Sequence, residues 1–239
     1  MQDRYILRRK ERFELMVRLV ADTQKNISRV LDIGCGTGSL MLAVLERFPD
    51  AEVCGIDFDP ALLVLAGKRL ARFGERVRII EGDLRDESWV EVVSDPANAA
   101  VSATALHWLS PQQLINVYKH LGKILCPGGI FLNADHVSSR CSSIQAGWQK
   151  HRDHMRSNEP CKDADDWEGF WDAYGQALKI NIKEFRKSLT EPWEGSEEGL
   201  PLEWHFDKLR ASGFEALDCF WRLDCDAIYG GIHKRNKCT

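Results

Sequence analysis

The sequence lacks a long apolar run. Residues 61–66 form an uninterrupted apolar stretch of six, and a helix that crosses a bilayer needs about 20. Residues 1–16 lack the apolar core of a secretory signal, and Asp3 and Glu11 argue against a transit peptide. The expected location is therefore cytoplasmic, with no membrane partner. Excess positive charge is also missing. Lys and Arg total 32 against 36 Asp and Glu, a net charge of −4, which disfavours a nucleic-acid partner. Eight cysteines are present but no CxxC pair, so neither a zinc site nor any other metal is expected. Without a secretory signal the thiols are expected to be reduced. No internal repeat or low-complexity tract occurs.

What is present is the composition of an ordinary globular protein, 44% hydrophobic and 28% charged over 239 residues. That length favours one domain with an elaboration. Residues 3–21 read as an amphipathic helix, with Ile6, Phe13, Met16, Leu19 and Val20 inward and a basic face (Arg4, Arg8, Arg9, Lys10 and Arg12) in solvent. Short apolar runs at 29–33, 52–56, 77–80, 99–103 and 129–133 then alternate with helical patterns at 39–48, 60–73 and 111–125. Strands apolar on both faces and joined by helices predict a doubly wound α/β fold with a mostly parallel sheet. Segments 214–222 and 226–233 predict an antiparallel pair at its edge. Ahead of that pair, residues 137–202 carry Trp148, Trp167, Trp171 and Trp193, with Trp204 just beyond, and several acidic clusters. The expected organisation is an N-terminal helix (1–24), a cofactor-binding core (25–136), a helical cap insertion (137–202) and a final helix with two strands (203–239).

The sharpest motif is Val30-Leu31-Asp32-Ile33-Gly34-Cys35-Gly36-Thr37-Gly38. A buried strand runs into a glycine turn that opens a helix, and this geometry lets backbone approach a ligand. The spacing is G-x-G-x-G rather than the G-x-G-x-x-G of dinucleotide sites. Asp57 ends the second strand, where an acid suits ribose hydroxyls. Asp83 ends the third, where a carboxylate can accept from an adenine amino group.

Together VLDIGCGTG, GIDFDP, IEGDL and LCPGGIFLNADH resemble the successive motifs of class I S-adenosylmethionine-dependent methyltransferases, over roughly residues 28–136. The resemblance implies a seven-stranded, Rossmann-like sheet with a reversed last strand, and an S-adenosyl-L-methionine cofactor that leaves as S-adenosyl-L-homocysteine. It implies that Asp32, Gly34, Cys35, Gly36 and Gly38 hold the methionine part. Asp57 would bind the ribose, Phe58 would lie against the adenine, and Asp83 with the Leu84 backbone would read its edge. Ala103 and the residues up to Leu106 would pass near the sulfonium. One position departs from the pattern. Asn98 stands where the fourth strand commonly begins with an acid, which puts a catalytic role there in doubt.

The acceptor is expected to be a small molecule bound under the tryptophan-bearing cap. The end of the fourth strand, Ser102-Ala103-Thr104-Ala105-Leu106-His107-Trp108, has no Asn/Asp-Pro-Pro-aromatic motif of amino-methylating enzymes. Pro160-Cys161 lies out of order for a cytosine-methylating nucleophile. His107 and His136 follow strands four and five and are the candidate general bases. His151 and His154 share a helix face but are read as part of a solvated basic surface with Lys150, Arg152 and Arg156. The alternatives are a non-catalytic S-adenosylmethionine-binding or partner protein of the same fold, a protein or RNA methyltransferase, and a nucleotide-dependent oxidoreductase; glycine spacing and Asp83 argue against the last. The assembly is expected to be a monomer or homodimer.

Overall fold

Alternation along the strands builds two cores, one on each side of a sheet. In β1 (Arg29–Ile33) Val30 faces one side and Leu31 the other; in β5 (Leu125–Ser138) Ile130 and Leu132 oppose Phe131. Both faces are therefore apolar and both need a helical layer. The computed structural model describes residues 6–93, 95–158 and 194–235, with Gly169, Asp172, Gly175, Gln176, Asn181 and Glu184.

Helices α1 (Arg9–Thr23), α2 (Ser39–Arg47) and α3 (Pro60–Leu70) cover one face; α4 (Ser88–Val92), α5 (Pro111–Ile124) and α7 (Leu202–Ala211) cover the other. Helix α6 (Ser142–Asn158) follows β5. The remaining strands are β2 (Glu52–Asp57), β3 (Val77–Glu81), β4 (Ala97–Ala103), a two-residue β6 (Leu200–Pro201), β7 (Phe214–Leu223) and β8 (Asp226–His233). The order is β3-β2-β1-β4-β5-β8-β7, with β6 beside β5. Strands β1 to β5 pair in parallel, and β8 runs antiparallel to both β5 and β7. This is the Rossmann-like fold with a reversed last strand that the motifs imply. The order reverses between β1 and β4, and in sheets of this kind the crevice at the carboxyl ends of those strands is where ligands bind. Among the described residues no helix is long and apolar enough to cross a membrane.

Several expectations need correction. Strand β5 begins before and ends beyond the expected 129–133, so His136 lies inside the strand, opposite Asp226. Arg12 is not on a solvated face: it is 1% exposed and pairs with Asp226 at 3.5 Å. Arg152 is likewise buried. Asn98 sits at the opposite end of β4 from the crevice, and its Oδ1 accepts from the Ser28 and Arg29 backbone N–H groups at 2.8 and 3.0 Å. Its lost charge therefore has no bearing on chemistry at the other edge. The six described cysteines form no disulfide. Cys161, Cys238, Trp167, Trp171 and Trp193 lie outside the described residues, as does much of the expected cap insertion, between 159 and 193.

Candidate active site

The glycine turn lies at the topological reversal. Gly34 takes φ +70°, and a Cβ there would stand 2.4 Å from the Ala105 Cβ. Only glycine brings the β1 turn this close to the residues that leave β4. The backbone N–H groups of Gly34 and Cys35 both donate to the Ile56 carbonyl, at 2.8 and 2.9 Å, which locks the turn to β2. Asp32 is 2% exposed and its Oδ2 has no partner. Burial, reinforced by the like charge of Asp57, pushes its pKa up to about 7. Asp57 accepts from the Gly36 N–H at 2.8 Å and from the Asp59 N–H at 3.0 Å. Burial outweighs those bonds and raises it to about 6.

The other cofactor candidates fall around the same crevice. Phe58 is half-buried just after Asp57, and Ala103 is half-buried at the end of β4. Leu84 packs against the core. Asp83 is gripped by Arg85, whose Nη2 donates to Oδ2 at 2.6 Å and whose Nε approaches both carboxylate oxygens. Cys35 is buried, and burial holds its thiol well above the usual range.

The structure brings both candidate histidines together. A 3-10 turn, Leu106–Trp108, follows β4 and places the His107 ring 4.7 Å from that of His136 on β5. Between them stands Asp135. Its Oδ1 is 2.6 Å from His107 Nδ1, and its Oδ2 accepts from the His107 backbone N–H at 3.0 Å. Burial opposes charge on both partners. Mutual attraction and the hydrogen bond prevail, so the His107 pKa is raised and Asp135 is held well below the carboxylate range. In the neutral ring this bond puts the proton on Nδ1 and the lone pair on Nε2. His136 differs. Its Nδ1 faces Arg152 Nη1 at 3.3 Å and its Nε2 faces Asp226 at 4.0 Å. Burial lowers its pKa, and the nearby His107 charge adds to this.

A cavity of about 180 Å³ opens beside the pair, lined by Leu106, Leu109, Leu114 and Leu200 as well as both histidines. Its floor is fixed by a buried network. The Tyr118 and Tyr229 hydroxyls lie 2.7 and 3.1 Å from His205 Nδ1, and burial lowers His205 to about 4, so it stays neutral. On the opposite side, Gly195 and Ser196 donate backbone bonds to the Trp108 and His107 carbonyls at 3.1 and 2.9 Å. The ligand atoms of His107, Asp135 and His136 all lie within 4.8 Å of one another, close enough for a metal ion. The Arg152 guanidinium against His136 Nδ1 opposes a cation at that nitrogen.

Sequence reasoning missed Asp226, Arg12 and the inward role of Arg152. Arg12 alone left a signal: it interrupts the apolar stripe of Phe13, Met16 and Val20 that α1 buries.

Comparison with known proteins extends these observations. Residues 30–129 match the family described as "Methyltransferase domain". A trans-aconitate 2-methyltransferase of Deinococcus radiodurans is 32% identical over 130 residues, covering 52% of this chain and 45% of that protein. An O-methyltransferase family protein from Burkholderia thailandensis superposes with a TM-score of 0.60 at 17% identity, over 94% of this chain and 57% of the other. Human N-acetylserotonin methyltransferase, solved in complex with S-adenosylmethionine, gives 0.54 at 16% identity, over 95% and 54%. The chain thus matches about half the length of these relatives. The family match runs from β1 into β5, the segment that carries the glycine turn and the acids after it. Residues 30–129 are therefore similar to a methyltransferase domain, and the chain shares the fold of these solved methyltransferases.

Proposed function

We propose that the chain transfers a methyl group to a small-molecule acceptor, with the cofactor at the glycine turn and the acceptor in the leucine-lined cavity beside His107. The carrying observation is the Asp135–His107 pair, set in that cavity with His107 two residues beyond Ala105, which packs against the turn at Gly34. The unpartnered Asp32 Oδ2 fits the ammonium of a methionine moiety, and Asp57 and Asp83 stand where ribose and adenine would be read. When bound, the cofactor supplies an electrophilic methyl group on a sulfonium.

The chain's own residues do the rest. His107 Nε2 accepts the proton of an acceptor O–H or N–H, and Asp135 stabilises the resulting imidazolium. His136 and its partners position the ring of His107 rather than take the proton. Leucines exclude water, and holding acceptor and methyl in line supplies much of the rate, since effective molarities reach about 10⁵–10⁸ M in well-oriented systems. The segment from Glu194 to Leu200 closes one wall. The trans-aconitate methyltransferase relative supports a small-molecule acceptor.

The test uses S-adenosylmethionine with a labelled methyl group, mixed with the protein and a small-molecule cell extract. Label should enter a metabolite with the wild type and not with Asp57→Ala. Binding of the cofactor without any transfer to small molecules would refute the reading.

A further inference from the structure

The acid after the third strand is held by its own loop. Asp83 follows Gly82, whose N–H donates to the Asp57 carbonyl at 2.9 Å, so the ends of β2 and β3 are joined. The Asp83 carboxylate meets Arg85, two residues on, through four contacts. Oδ1 accepts from the Arg85 backbone N–H and from Nε, both at 2.9 Å. Oδ2 accepts from Nε at 2.8 Å and from Nη2 at 2.6 Å. The Asp86 N–H closes the turn on the Asp83 carbonyl at 3.3 Å. The Asp86 side chain is taken by Ser88, through its N–H at 2.7 Å and its hydroxyl at 2.5 Å. The Arg85 and Asp83 side chains are 22% and 30% exposed, so a ligand can reach the pair.

A carboxylate offers about four lone pairs. Three N–H groups of Arg85 make the four contacts, which leaves about one lone pair for an outside donor. A part-exposed Asp side chain would otherwise lose rotamer freedom when it met a ligand. The guanidinium fork matches the carboxylate in two parallel bonds and removes that freedom beforehand. We infer that Arg85 is a positioning residue of the cofactor site: it holds the Asp83 carboxylate with one acceptor left for the exocyclic amino group of adenine, and so sets the preference for a purine that carries that group. This rests on the methyltransferase reading above. Arg85 acts through Asp83 and makes no contact of its own with the base.

The probes are S-adenosylhomocysteine and its 6-deamino analogue, with hydrogen in place of the amino group, each titrated into the full chain by calorimetry. The wild type should bind the amino form about 10-fold more tightly, the weight of a hydrogen bond to a charged group. Arg85→Gln should remove most of that preference by weakening the amino form alone, and unchanged binding of the deamino form shows that the variant folds. Arg85→Lys keeps the charge but not the fork, and should restore only part of the preference. In an Asp83→Asn background, where the preference is already lost, Arg85→Gln should change nothing further. Tighter binding of the amino form by Arg85→Gln would show that Arg85 occludes Asp83 instead. An unchanged ratio in Arg85→Gln, or an effect that persists in Asp83→Asn, would equally overturn the inference, as would equal binding of both forms by the wild type. Failure of the wild type to bind S-adenosylhomocysteine at all would overturn the methyltransferase reading and the positioning role with it.

Discussion

Asp135 favours the charged form of both histidines, yet only His107 ends above its ordinary value, because burial prevails at His136. A base works deprotonated, and His107 has a pKa above its ordinary 6.5 because Asp135 outweighs burial. The kcat of the labelled-methyl reaction should therefore rise with pH through a midpoint above 6.5. In Asp135→Asn the carboxylate charge is gone and burial dominates, so the midpoint should move down while the plateau falls. His107→Ala should cost about 10²- to 10⁴-fold in kcat with cofactor affinity retained. A midpoint indifferent to Asp135 would remove His107 from the chemistry. Asp32 gives a second pH signature. Its carboxyl titrates at about 7 in the free protein, and an ammonium prefers the carboxylate. Below 7 binding must expel a proton, so S-adenosylmethionine affinity should fall as pH drops, by up to about tenfold per unit for one proton. Calorimetry at pH 5.5 to 8 would read this slope, and Asp32→Asn should flatten it.

At the scale of elements, the cavity wall at 194–200 docks on the His107 turn through two backbone bonds, from Gly195 and Ser196. A Cβ at Gly195 would meet the His107 carbonyl oxygen at 2.2 Å, nearer than any real contact allows. Gly195→Ala should push this segment off, raise the KM for the acceptor several-fold and leave cofactor affinity intact; a matching loss of both would mean the segment serves the fold instead. The parallel strands and their helices were legible because each carries its own periodicity within a few residues. Strand β5 was not. Pro127-Gly128-Gly129 reads as a turn, yet the strand runs on through it, with Gly128 at φ +85° and a register shift between Ala97 and Ala99 of β4. Its far end continues through Asp135 and His136 because β8 supplies partners from Ala227 and Asp226, and no local pattern announces a partner that distant in sequence. The cofactor acids could be read from their strand ends. The Arg12–Asp226 and Arg152–His136 contacts could not, since each joins elements whose packing only the whole sheet decides.

The molecule as a whole ties its ligand crevice to both cores. The crevice forms where β1 and β4 diverge; β1 and β4 contribute Leu31 and Ala100 to one core and Val30 and Val101 to the other. A ligand bound at that seam contacts strands anchored in both layers, so it should stabilise the fold as one unit and raise a single melting transition. S-adenosylhomocysteine at a hundred times its Kd should add about 2.7 kcal/mol. For a chain of this length that is roughly 5–10 °C in Tm. NAD at the same concentration should add nothing, because the glycine turn lacks dinucleotide spacing. Asp57→Ala should abolish the response to S-adenosylhomocysteine, since it loses both the ribose acceptor and the contact that holds the Gly36 N–H. Stabilisation by NAD would revive the oxidoreductase alternative. A second transition that ignores S-adenosylhomocysteine would show that the two layers melt apart and that the crevice draws its rigidity from only one of them.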